Sequence, residues 1–334
     1  MNRSFHEETS INQMARVENA RQIPTDCLNV FFVVNIWYAV CSGSFHYIRI
    51  KNCFMSRAIL TSLILFTFYI QAFGQDALSI TKQMFDKVKS INTVQYTFDS
   101  RERIKGNMYH EKSDFKVSVS PFKMYMKQSI PKKGVECLYV TGLNDGKAWV
   151  NPNAFPWITL SLDPYGSLML NNHHHSIFDA GYAYTFGIIE GLFRKYQSQI
   201  STMVSTNGLY KVSGVSCYSL IFTNPNYKLV AYTTGANETP ISIASKLNIN
   251  YYSVIENNPD LSATDKIKQG TKIMVPNDYA SKLEIYVSKD GMYPVYLKIY
   301  DLKGLYEEYT FTNVVINSGI SANDFSKDNP AYGF

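Results

Sequence analysis

The sequence predicts an α+β fold in which one antiparallel sheet with two long helices is interrupted by a small βααβ unit. Three observations carry that expectation. From Val94 to Ile316, short runs alternate apolar and polar residues and are divided by turn signals roughly every ten residues, the pattern of an antiparallel meander. Two stretches switch to a spacing of three or four, the period of an amphipathic helix. The segment from Tyr232 to Pro276 follows neither flank and packs caps, two short apolar turns and an extended end into one compact unit.

The chain has 334 residues, enough for two domains, with 25 tyrosines and 20 phenylalanines. Aromatics at that density, with 18% charged residues, suit antiparallel sheet, where Tyr and Phe cover half-buried faces. The net charge of +5 is small for the length and no Lys/Arg run stands out, so no nucleic-acid partner is expected.

The N-terminal part is set apart first. Met55-Ser56-Arg57, the apolar run Ala58–Ile70 and Ala72-Phe73-Gly74 make a charged region, an apolar region and small residues before Gln75. Residues 55–74 therefore read as a Sec signal peptide. The run falls short of the ~20 apolar residues of a spanning helix, so no transmembrane anchor is expected in the mature chain. Residues 1–54 hold a second apolar patch, Leu28–Val40, and read as the product of an upstream start or as a disordered extension. Removing 1–74 leaves Cys137 and Cys217, one bridge or two buried thiols.

In order, Asp76–Ile91 is a helix with Ile80, Met84, Val88 and Ile91 on one face. Val94, Tyr96 and Phe98 open a strand running to Ile104; Gly106-Asn107 turns, and Met108–Val119 returns. Phe122, Met124 and Met126 make the next strand, followed by Cys137–Thr141, the turn Asn144-Asp145-Gly146, and Lys147–Asn151. A short strand is expected over Trp157–Leu162, then a long helix over Ile177–Tyr196 carrying Phe178, Tyr182, Phe186, Ile189 and Phe193, with glycines at 181, 187 and 191 that permit close approach. Tyr210–Val212 and Cys217–Phe222 flank Gly214. After the inserted unit, strands resume at Leu283–Val287, Val295–Ile299, Tyr306–Phe311 and Val314–Ile316. The divisions are thus 76–228 and 279–334 for the host and 229–278 for the insert, placed where neighbouring strands 217–222 and 283–288 would leave their ends close.

Within the insert, Thr239 is the N-cap and Pro240 the first helical residue. Ile241, Ala244 and Leu247 follow at helical spacing. Tyr252, Val254 and Ile255 begin a second helix closed by Asn257-Asn258-Pro259, and Ile267, Ile273 and Val275 form a terminal extended segment. The segments NETPISIASKLNIN, YYSVIENNPDL and DKIKQGTKIMVP, in that order, resemble a LysM domain, the peptidoglycan- and chitin-binding module. Two positions depart from it: the family's turn glycine is Asn237 and its leucine is Pro240. The resemblance implies a sugar groove between the first strand–helix loop (Asn237, Glu238, Thr239, Pro240) and the second helix–strand loop (Asn258, Pro259, Ile267, Lys268), reading an N-acetylglucosamine glycan chiefly through backbone groups. A module that no longer binds sugar and serves as a protein contact is the other reading.

The host resembles the LolA/LolB-like superfamily of lipoprotein carriers. Its end, KLEIYVSKDGMYPVYLKIYDLKGLYEEYTFTNVVINSGISANDF, follows a strand–turn pattern with a D-x-x-G hairpin, N-V-x-x-N and a terminal Phe. With WITLSLDP and HHHSIFDAGY, it is similar to an uncharacterised exported bacterial family within that superfamily. The resemblance implies a curved half-barrel sheet around two helices. Its cavity would be lined by Val94, Tyr96, Phe98, Phe178, Tyr182, Leu297 and Ile299 and would take a lipid or lipoprotein; a packed core needs the same residues.

Catalytic signals are few. His173-His174-His175 with Asp179 is the one dense group of metal-ligand types, but strand neighbours point to opposite faces and no second cluster completes a zinc set. No metal, cofactor or catalytic residue is expected. No G-x-S-x-G or H-E-x-x-H motif occurs. Glu307-Glu308 and Glu102 could make an acid/base pair, but read more simply as charges on solvent-facing strand positions. The expectation is a non-enzymatic, exported periplasmic or outer-envelope protein that holds peptidoglycan through the insert; the alternatives are an envelope glycan or lipid hydrolase using His173–His175, or a lipoprotein carrier.

Overall fold

The computed structural model describes residues 77–155, 157–171 and 173–334, so the expected signal peptide and extension lie outside the described residues. In chain order the strands are β1 (Thr93–Ile104), β2 (Asn107–Ser118), β3 (Lys123–Ile130), β4 (Glu136–Val140), β5 (Ala148–Asn151), β6 (Leu160–Leu162), β7 (Val204–Val212), β8 (Val215–Thr223), β9 (Leu229–Thr233), β10 (Lys272–Pro276), β11 (Lys282–Ser288), β12 (Pro294–Asp301) and β13 (Gly304–Ile316). The helices of more than one turn are α1 over 77–89, α2 (Ala183–Lys195), α3 (Pro240–Leu247) and α4 (Tyr251–Glu256).

Eleven strands form one curved antiparallel sheet in the order β6-β5-β4-β3-β2-β1-β13-β12-β11-β8-β7, while β9 and β10 pair separately. Period-two alternation explains which face is covered. Along β1 the inward positions are Val94, Tyr96, Phe98, Ser100 and Glu102; opposite on β13 stand Phe311, Tyr309 and Glu307. The two helices bury Ile80, Met84 and Val88 of α1 and Phe186, Ile189 and Phe193 of α2. Phe193 joins these layers, edge-on to Phe85 of α1 at 5.5 Å and stacked on Phe222 of β8 at 4.9 Å. Burying side chains of this size stabilises by about 1.5–3 kcal/mol each.

The insert enters and leaves at one hairpin end, because β8 and β11 pair directly from Thr223↔Lys282 to Cys217↔Ser288. Between them the chain builds β9, α3, α4 and β10. The insert does not keep a core of its own: Ile243, Ile249, Tyr251, Tyr252 and Val254 belong to the same continuous apolar cluster as the host helices and sheet.

Four local expectations are corrected. The helix expected over Ile177–Tyr196 begins only at Ala183: Ile177–Asp179 is a single 3-10 turn, and Gly181 turns the chain with φ +90°. Gly181 is glycine for conformational reasons rather than for helix packing. The strand expected over Trp157–Leu162 is only Leu160–Leu162, since Trp157 takes φ +59°, which no strand accepts. The extended end of the insert starts at Lys272, not Ile267, because Lys268–Thr271 makes a turn with Gly270 at φ +82°. Glu102 and Glu307 do not face solvent; register puts both inside, while Glu308 points outward beside Arg101 and Lys298. Cys137 and Cys217 are free and buried on β4 and β8, seven strand positions apart, which excludes a bridge between them. Burial pushes the Cys137 thiol up to about 12 and that of Cys217 to about 11.

Candidate functional site

The insert's two loops meet. The Glu238 carbonyl accepts from the Ile267 amide at 2.9 Å, and the Ala263 carbonyl accepts from Ile241 at 3.2 Å. Asn237 takes φ +58°, the left-handed conformation in which glycine is the default and which asparagine tolerates. Thr239 and Ser242 make a reciprocal cap: the Thr239 hydroxyl accepts from the Ser242 amide at 3.2 Å, and the Thr239 amide donates to Ser242 Oγ at 2.8 Å. Pro240 is buried at the first helical position.

Not every expected groove residue presents its side chain. The Glu238 carboxylate accepts from Gly235 N at 2.7 Å, Tyr232 Oη at 2.8 Å and Lys246 Nζ at 3.0 Å. The backbone donor at Gly235, supported by Tyr232 and Lys246, holds its pKa below the usual carboxylate range. Asn258 donates to the carbonyls of Val254 and Met274 at 2.7 Å each and accepts from Met274 N, which ties α4 to β10. Ile267 is buried; Asn237, Pro259 and Lys268 are exposed. The opposite end of the insert, the α3–α4 corner, is docked: Asn248 donates to the Ile188 carbonyl of α2 at 3.0 Å, and Ile249 and Asn250 are buried.

Below that corner lies a polar cluster that the sequence reading missed. Glu102 and Glu307 stand directly opposite on β1 and β13, both inward. Like charges so placed repel, so the pair needs cations and donors around it. The His174 amide donates to Glu102 Oε2 at 2.8 Å, and His174 Nδ1 lies 2.8 Å from Glu307 Oε1. His174 Nε2 faces the Arg103 carbonyl at 2.9 Å; a carbonyl only accepts, so this nitrogen bears a hydrogen. The ring is held between Tyr252 and Tyr306 at 4.4 and 4.3 Å. His175 Nε2 meets the Tyr309 hydroxyl at 2.9 Å, which donates onward to Glu102 Oε1 at 2.8 Å. Tyr279 donates to Glu307 Oε2 at 2.7 Å, and Asn250 of the insert donates to Glu307 Oε1 at 3.2 Å and to the His174 carbonyl at 3.1 Å. Arg103 adds a second tie, bidentate to Glu256 of α4 at 3.0 Å and paired with Asp301 at the β12–β13 turn.

The electrostatics agree with this wiring. Burial would lower the His175 pKa, but the Glu307 carboxylate, with Asp179 and Glu102, raises it well above the ordinary histidine value. Burial would raise Glu307, but His175 and His174 pull it far below the usual carboxylate range. His173 stands apart, 3.2 Å from Glu111. Within the His173–His175 stretch, His174 and its partner Glu307 have no exposed surface and both nitrogens of His174 are engaged, whereas the His173 and His175 side chains keep 34% and 17% of theirs. Among the described residues no group of three or more His, Cys, Asp or Glu is placed to hold a metal ion. The signal that was available is the alternation itself: Glu307 is in phase with Tyr309 and Phe311, and Glu102 with Tyr96 and Phe98.

The expected cavity residues divide in two. Tyr96, Phe98 and Tyr182 pack with Phe115 and Phe311 into one aromatic cluster, Tyr96 stacking on Phe115 at 5.2 Å. Phe178 packs elsewhere, against Tyr139, Phe122 and Tyr165. Val94, Leu297 and Ile299 are fully buried in the same core.

A family described as Protein of unknown function (DUF1571) matches residues 91–233. No curated protein matches the sequence. Among solved structures, the chain is similar to Mycobacterium tuberculosis lipoprotein LppX, at 14% identity over 74% of this chain and 98% of that one, with a TM-score of 0.36. It is also similar to LprF from Mycobacterium bovis, at 11% identity over 74% and 95% of the two chains, TM-score 0.36. A putative outer membrane lipoprotein-sorting protein domain from Vibrio parahaemolyticus is similar at 10% identity over 76% and 97%, TM-score 0.29. No helix among the described residues is long and apolar enough to cross a membrane.

Proposed function

We propose that this chain is an exported, non-enzymatic envelope protein whose βααβ insert is a LysM-like module that holds peptidoglycan by its N-acetylglucosamine glycan. The observation that carries this reading is how the insert is mounted. Its α3–α4 corner is sunk into the host, while the loops around Asn237 and Pro259–Lys268, at the other ends of the same helices, are left open to solvent. A sugar chain lying across those loops would meet backbone groups and the exposed Asn237, Pro259 and Lys268, because Glu238 and Asn258 are spent on holding the loops in place. The left-handed Asn237 offsets the missing turn glycine. The host body is the part that binds an apolar ligand or a protein partner, with the inward face around Tyr96, Phe98 and Tyr182 as its place.

Titrating soluble N-acetylglucosamine oligomers into labelled protein and following backbone amide resonances tests the glycan reading. Shifts concentrated in 235–241 and 257–268 are expected. Unmoved amides there at saturating sugar, or shifts confined to the host, would overturn it. Mass spectrometry of organic extracts of the purified protein tests the host: a co-purifying lipid is expected if its ligand is apolar.

A further inference from the structure

The β5–β6 connection puts its largest apolar side chains into solvent. Phe155 is 86% exposed, Trp157 69% and Ile158 53%. Burying such side chains would stabilise the fold, yet these three stay out in solvent while hydrogen bonds hold the backbone beside them. Asn151 Oδ1 accepts from the Asn153 amide at 2.9 Å, Asn153 Nδ2 donates to the Lys133 carbonyl at 3.0 Å, and the Trp157 amide donates to the Ala154 carbonyl at 2.8 Å. Trp157 sits at φ +59°, unusual for a bulky side chain. A strained aromatic held outward is a feature that the fold itself does not use.

The charge around the loop selects a partner. Its tether is the β3–β4 turn, where Lys132 and Lys133 are both exposed. Neither 131–135 nor 152–160 contains an aspartate or glutamate, and Glu136, which follows the first of them, is buried and paired with Lys127; the exposed Asp145, Lys147 and Asp163 lie at the far end of the β5–β6 pair. An apolar tip with tryptophan beside lysines, free of acidic residues, matches an anionic bilayer: the rings sit at the headgroup level and the ammonium groups meet the negative surface. We propose that the exposed Phe155, Trp157 and Ile158 form a wedge by which this protein docks on an anionic lipid surface, independently of the glycan-binding insert.

The test uses the whole protein with vesicles of phosphatidylcholine and phosphatidylglycerol, some carrying brominated phosphatidylglycerol. The Trp157 emission is taken as the difference between the unaltered chain and Trp157→Asn, which tolerates the left-handed backbone. Bromide quenching of that emission and a shift to shorter wavelength are expected with anionic vesicles, weakening with added salt and absent with phosphatidylcholine alone. Lys132→Gln with Lys133→Gln is expected to weaken binding by roughly an order of magnitude or more, and Phe155→Ser to weaken it as well. These positions are exposed, so circular dichroism of each variant should match the parent. A Trp157 emission that vesicles leave unchanged would overturn the proposal, as would a shift that follows protein concentration without lipid, since that outcome makes the loop a contact between copies of the chain.

Discussion

Glu307 shows how one residue can organise several elements. Its carboxylate gathers Tyr279, Asn250, His174 and His175 on a strand position that would otherwise carry an apolar side chain. Removing one member of a buried charge set leaves the others unpaired, so Glu307→Gln should cost about 3–5 kcal/mol, read from the denaturant midpoint. A loss within the error of the measurement would mean that the cluster is not holding the structure. The pH dependence has two limbs. His175 is raised in the fold, so its contribution is complete below about pH 6.5 and declines as pH rises through the folded value. Glu307 is lowered, so its contribution is complete above about pH 4.5 and declines as pH falls toward the folded value. Stability should therefore peak between those limbs. His175→Gln should flatten the alkaline limb and also shrink the acid limb, because His175 is the strongest of the groups that lower Glu307; an unchanged alkaline limb would show that another group causes it.

At the scale of elements, α2 and the α3–α4 corner approach at Gly191. A Cβ there would collide with the Asn248 amide, which bonds the Ile188 carbonyl. Gly→Ala inside a helix ordinarily stabilises by about 0.5–1 kcal/mol. Here Gly191→Ala should destabilise, and in an Asn248→Gly background, whose left-handed φ of 57° suits glycine, it should revert to stabilising. A thermal-melt double-mutant cycle reads the sign, and equal effects in both backgrounds would place the clash elsewhere. The same scale shows what was legible in the sequence. β1, β2 and β11–β13 were readable because alternation and Gly or Asn turns are local signals. The Thr239–Pro240 helix entry was readable because capping is local as well. The start of α2 was not, since the Phe178 and Tyr182 spacing continues the helical period across Gly181, which breaks the helix by its backbone alone. Alternation within each strand records that Glu102 and Glu307 face inward, but that they stand opposite each other is set by register across β1 and β13, which no single strand records.

For the whole molecule, Arg103 is the telling contact, since it joins β1, the β12–β13 turn and α4 of the insert. An insert tied by buried ions and sharing the host core should not melt alone. Hydrogen exchange of β9 and β10 amides should therefore report the same opening free energy as β1 and β13; markedly faster exchange in β9–β10 would show an independent unit. Rigid mounting fits the proposed role, because a wall-holding loop pair transmits position to the host only if the corner behind it is fixed. The most direct test of that role is co-sedimentation of the purified protein with peptidoglycan sacculi. Pelleting that soluble N-acetylglucosamine oligomers displace is the result expected; protein that stays in the supernatant, or pelleting that the oligomers leave untouched, would contradict it.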